Sequence, residues 1–304
     1  MNQLIYYLFV APISRLPLPI LYLFSKILFL IFRVLLPYRR KVVRDNINRS
    51  FPQFSNQQKL EVERDFYQYF CDLLVESIKN LSMSEREYKQ RVKFLDSGLM
   101  ERLNRENRKV ILVGAHYENF EWIISGLTLL IPQKIYGIGM PLSNLFWDKK
   151  LTEKRERCGM KVVNSSNYKE ILNSDNSGFA VLALSDQSPG NSENAFWTNF
   201  LNQSTAVLFG AEFMANEWNA AVVYLKMKQI KKGVYSIEPI LLTDQPKSLN
   251  FGELTEKHVQ LLEQQLQENP APWLWSHKRW KREIPENLNE LKIRQKQRFE
   301  KKFR

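Results

Sequence analysis

Val110-Ile111-Leu112-Val113-Gly114-Ala115-His116-Tyr117-Glu118-Asn119-Phe120-Glu121-Trp122 begins as an unbroken apolar run, halts on glycine and then turns polar. A short run with no polar alternation is the pattern of a strand buried on both faces. Similar runs occur at 135–138, 179–184 and 220–225, and helix-length segments lie between them at 121–130, 144–158 and 204–217. Upstream, Ser55 precedes an amphipathic stretch to about Asn80, with Phe66, Phe70, Leu73, Leu74 and Ile78 in helical period, and a second helical stretch covers roughly 86–107. A helix at about 252–268 follows the last apolar run. This alternation predicts an α/β fold, a mostly parallel central sheet flanked by helices.

Functional groups of such a sheet collect where strands give way to helices, at the carboxyl edge. His116 stands at that edge, five residues before Glu121. On a continuous helix that spacing would point the two side chains apart, but a turn leading into a helix can fold the carboxylate back on the imidazole. The pair would then act as a general-base dyad, the carboxylate fixing the imidazole tautomer. The plainer alternative is a core or capping histidine. Other chemistries have little support: there is no G-x-S-x-G, P-loop or H-E-x-x-H pattern, and Gly137-Ile138-Gly139 lacks the third glycine of a dinucleotide fingerprint. Cys71 and Cys158 match no disulfide or zinc framework. His258, in a polar helical stretch, is expected to be solvated.

The chain carries 44 Lys and Arg against 32 Asp and Glu, a net charge of +12 that suits an acidic partner or an anionic membrane. Its amino-terminal 36 residues favour the membrane. Between Pro19 and Pro37, 13 of 17 residues are Leu, Ile, Val or Phe, with Lys26 and Arg33 on one stripe, and Arg39, Arg40, Lys41 and Arg44 follow. Seventeen residues make a helix of about 25 Å, a little short of a ~30 Å hydrocarbon core. Such a helix suits a tilted or in-plane anchor as well as a spanning one, and the basic cluster places the next domain on the cytoplasmic side. The expected division is an N-terminal membrane anchor at 1–37, a catalytic domain at 38–281 and a basic tail at 282–304. The last 27 residues, 278–304, hold 11 Lys and Arg against 4 Glu.

Four stretches, in order, resemble one known family. Arg39-Arg40-x-Val42-Val43-x-x-Asn46 leads to Ser50-Phe51-Pro52; then come Gly114-x-His116-x-x-Asn119-Phe120-Glu121, Ser185-Asp186-Gln187-Ser188-Pro189-Gly190 with Thr205 downstream, and Trp273-Leu274-Trp275-x-His277-x-Arg279-Trp280-Lys281. Together they are similar to the late acyltransferases of lipid A biosynthesis. The chain departs from them at Glu118, where the family commonly has glycine, and at Leu201-Asn202, where it has Phe-Gly. The resemblance implies a glycerolipid acyltransferase-like fold behind an N-terminal membrane helix, in the inner membrane of a Gram-negative bacterium. It implies an O-acyltransferase that takes a fatty acyl group from acyl carrier protein to a hydroxyl of a lipid A precursor or related lipid, with His116 and Glu121 catalytic and no metal or bound cofactor. Asn119, Asp186 and Gln187, with Arg155 and Arg157 as phosphate grips, are the expected substrate-binding residues. A rival within the class acts on an aminolipid or a mannosylated lipid. A rival outside it is a non-catalytic peripheral protein holding anionic lipid or nucleic acid, although no nucleic acid partner is expected of the enzyme.

Overall fold

The computed structural model describes residues 2–36 and 38–304, so Met1 and Pro37, the expected helix stop, lie outside the described residues. The strands in chain order are β1 (Val92–Phe94), β2 (Val110–Gly114), β3 (Lys134–Gly139), β4 (Lys161–Asn164), β5 (Phe179–Leu184), β6 (Phe196–Phe200), β7 (Gln203–Val207), β8 (Ala221–Lys231) and β9 (Val234–Thr243). Seven form one sheet in the order β1-β9-β8-β2-β5-β3-β4. Every neighbouring pair is parallel except β8 and β9, which are antiparallel. The apolar run Val110–Gly114, β2, lies mid-sheet with all five residues buried. Helices cover both faces: Val110 and Leu112 join one core cluster, Ile111 and Val113 another. The chain is thus mixed α/β with a mostly parallel sheet, as its periodicity predicts.

Two expected helices are corrected. The 204–217 segment is strand β7 followed by the helix Gly210–Trp218, and the 86–107 segment is two short helices, Glu85–Arg91 and Leu99–Arg105, around β1. β6 and β7 form a separate antiparallel hairpin whose two-residue turn, Leu201-Asn202, has φ of 49° and 63°. Positive φ at both positions matches the right-handed twist of the strands, and asparagine tolerates that region better than most residues.

The N-terminal helix Leu18–Leu30 does not stand apart from the domain. Leu18 and Leu21 are buried in the main core with β2 and β8, and buried Ser25 bonds to Asp72 on the long helix Asn56–Lys79. The Tyr22 hydroxyl reaches the fully buried Glu76 of that same helix at 2.5 Å. The opposite face, with Leu23, Phe24, Ile27 and Leu30, is exposed. No helix among the described residues is long and apolar enough to cross a membrane. The tail is also ordered: the helix Leu288–Phe303 buries Leu291 and Phe299, the latter against Phe209 and Phe251, and leaves Lys292, Arg294, Lys296 and Arg298 outward.

Candidate active site

The register of the sheet builds the site. β2 and β5 are parallel neighbours with Gly114 opposite Leu184, so His116 and Asp186, each two residues past a strand end, come face to face. His116 Nδ1 lies 2.8 Å from Asp186 Oδ1. The other carboxylate oxygen accepts from Trp273 Nε1 at 2.8 Å. Burial alone would raise this carboxyl, but the charge of the imidazole and the hydrogen bonds from His116 and Trp273 hold it down at about 2. An ionised Asp186 selects the tautomer protonated on Nδ1 and leaves Nε2 as an acceptor. The Gln187 amide nitrogen lies 3.2 Å from that Nε2.

The remaining boxes serve as the frame of this pair. His277 Nε2 accepts from the Ser188 amide at 3.1 Å, and Arg279 donates to Thr205 Oγ1 and to the Ala206 carbonyl, both at 2.8 Å. Asn46 donates to the Trp275 and His277 carbonyls, and Arg39 to that of Ser276. Tyr117 bridges to Trp273, while the Glu118 amide donates to the Pro272 carbonyl at 2.8 Å. Glu118 sits at φ 51°, a left-handed position that favours glycine, and burial pushes its carboxyl up to about 7.

Several expected roles are corrected by the contacts. Glu121 does not orient His116: its oxygens lie 2.7 Å from Lys154 Nζ and 3.3 Å from Arg155 Nη2. Burial would raise the Glu121 carboxyl, yet these two cations keep it below the ordinary carboxylate range. Asn119 is fully buried, its oxygen capping the helix Phe120–Gly126 at Trp122 N and its nitrogen on Glu76, so it offers nothing to a substrate. Arg157 is exposed, and one nitrogen of its guanidinium donates to the Asn80 carbonyl at 2.7 Å. His258 is buried rather than solvated, and with Arg279 it lines a void of about 10 Å³ behind Asp186. Burial lowers its pKa to about 4 and keeps it neutral.

The space for chemistry is a cavity of about 320 Å³ lined by His116, Gln187 and Arg155, with Ile124, Met160 and Leu184 among its apolar walls. Arg155 Nε is buried there without an acceptor among the described residues. Small-ligand sites are commonly clefts with apolar walls and a few convergent polar groups. This one offers an oriented imidazole, a fixed guanidinium and room for an aliphatic chain. No group of three or more His, Cys, Asp or Glu among the described residues could hold a metal ion.

The bacterial lipid A biosynthesis acyltransferase family matches residues 2–282. The chain belongs to that family. It is similar to the lipid A biosynthesis palmitoleoyltransferase of Escherichia coli (strain K12), with 23% identity over 271 residues covering 88% of this chain and 87% of the relative. It is equally similar to the lipid A biosynthesis acyltransferase of Shigella flexneri, at 23% over the same coverage. This acyltransferase therefore carries its four family stretches as one constellation: two of them contact the third at Asp186 or Ser188, and the first holds residues 275–277. The sequence reading missed Asp186 as the partner of His116 and Trp273 as the second hold on Asp186. Both residues lie in the family's stretches, but only the folded chain shows whom they meet.

Proposed function

We propose that this acyltransferase moves a fatty acyl group from acyl carrier protein to a hydroxyl of a lipid A precursor, at the cytoplasmic face of the inner membrane. His116 is the general base and Asp186 the carboxylate that orients it. The observation that carries this reading is the 2.8 Å contact between them on the wall of an acyl-sized cavity.

The acceptor hydroxyl displaces Gln187 from His116 Nε2 and gives its proton to that nitrogen. Its oxygen then attacks the thioester carbonyl, and the tetrahedral intermediate collapses with loss of the thiolate, which takes the proton back. Asp186 stays ionised and stabilises the transient imidazolium. Arg155, steadied by Glu121, supplies a planar fork for an acceptor phosphate or for developing negative charge. The carrier protein is acidic in the chemistry its docking requires, and the exposed Lys and Arg of the C-terminal helix offer a complementary surface.

Transfer from acyl carrier protein to lipid A precursor, followed by mass spectrometry with purified full-length protein, tests the assignment. His116→Ala should lower turnover by about 10²- to 10⁴-fold, the usual cost of losing a general base. Near-native turnover in that variant would remove His116 from the mechanism.

A further inference from the structure

Two exposed apolar segments, far apart in sequence, meet at the mouth of the catalytic cavity. One is the chain start, where residues 2–14 form helical turns and Leu8 and Phe9 are each about 60% exposed. The other is the loop after β3, where Met140 and Leu145 are 80% and 82% exposed and Leu142 is also outward. The Tyr6 ring joins them, with its centroid 5.8 Å from that of Phe146 and 6.1 Å from that of Trp147. Met140 itself lines the cavity that contains His116. The exposed face of the helix Leu18–Leu30 adds to the apolar surface.

Soluble surfaces seldom gather large aliphatic side chains in this way, and such patches mark contact sites. The charges choose the occupant. Lys149 is exposed beside the loop, the ammonium of Lys150 lies over the rings of Tyr6 and Tyr7, and Lys26 and Arg15 are exposed along the N-terminal segment. The nearby acids are engaged within the protein: Asp148 accepts from the Leu142 amide and Glu153 from Lys150. An apolar surface fringed by cations fits a bilayer with anionic headgroups.

We propose that the 140–145 loop and the first helical turns dip together into an anionic membrane surface, so that the cavity mouth opens at the boundary between headgroups and acyl chains. A lipid acceptor then reaches His116 sideways from the leaflet, without its acyl chains crossing water. The membrane contact stands on the surface alone; the route of the acceptor rests on the function proposed above.

The test is sedimentation of full-length protein with vesicles of phosphatidylethanolamine and phosphatidylglycerol. Leu142→Ser combined with Leu145→Ser should weaken vesicle affinity by about ten-fold or more, since each leucine loses its apolar transfer on insertion. Ile293→Ser, which removes an equally exposed side chain on the C-terminal helix, should leave affinity unchanged. Acyl transfer to detergent-dispersed acceptor should stay within about two-fold of wild type in the double variant, because neither leucine lines the cavity. Unchanged vesicle affinity in the double variant would overturn the proposal. So would a loss of self-association in place of a loss of vesicle binding, which would assign the face to a second copy of the chain. A wild-type protein that binds vesicles through this loop but transfers no acyl group would overturn the proposed function and leave the membrane surface standing.

Discussion

Glu118 and Glu121 show how differently two neighbouring carboxylates are used. Glu121 is neutralised by Lys154 and Arg155, whereas Glu118 has no salt bridge among the described residues and burial raises its pKa from 4.5 to about 7. Between those values the native state holds a proton that the unfolded chain has released. The group thus contributes stability that is fully present below pH 4.5 and is lost as pH rises through 7. The difference corresponds to at most about 3 kcal/mol between pH 4 and pH 8. Glu118→Gln, which mimics the protonated form, should therefore be more favourable relative to wild type at pH 8 than at pH 5 in urea denaturation. An equal stability difference at both pH values would show that Glu118 titrates normally.

At the scale of elements, the N-terminal helix is packed as part of the catalytic domain. Its Tyr22 hydroxyl and those of Tyr235 and the Asn119 amide all point at Glu76, so this one buried carboxyl links the helix Leu18–Leu30, strand β9 and the cap of the helix carrying Glu121. Tyr22→Phe removes one donor from a buried acceptor and should cost about 1–3 kcal/mol, measurable as a lower denaturation midpoint. Deleting residues 1–36 should give an aggregating or unfolded chain rather than a soluble enzyme, because Leu18 and Leu21 fill the main core. A monomeric truncated protein with a cooperative melt would contradict this packing. This packing was hidden in the sequence, since a helix that is apolar on nearly every side does not show which face meets the core. The four continuous apolar runs, by contrast, were legible as strands because both their faces are buried. The short strands β1, β4, β6 and β7 were not: three to five residues hold too few alternations to set a period, and their identity comes from partners elsewhere in the chain.

For the whole molecule, the sequence puts His116 at the carboxyl edge of the sheet but pairs it with Glu121, five residues on. Local spacing offers Glu121; the fold offers Asp186, 70 residues away, because parallel β2 and β5 end in register. Glu121 in turn finds its cations 33 and 34 residues downstream, a relation no motif spacing records. The division of labour can be read in steady-state kinetics on purified protein, with acyl carrier protein as donor and a lipid A precursor as acceptor. Asp186→Asn keeps the shape of the side chain and loses the charge that stabilises the imidazolium. It should lower kcat by roughly 10²- to 10⁴-fold with KM for the acceptor little changed, whereas Glu121→Gln, by loosening Arg155, should act mainly on that KM. Near-native kcat in Asp186→Asn, together with loss of turnover in Glu121→Gln, would contradict the account and return the catalytic carboxylate to Glu121.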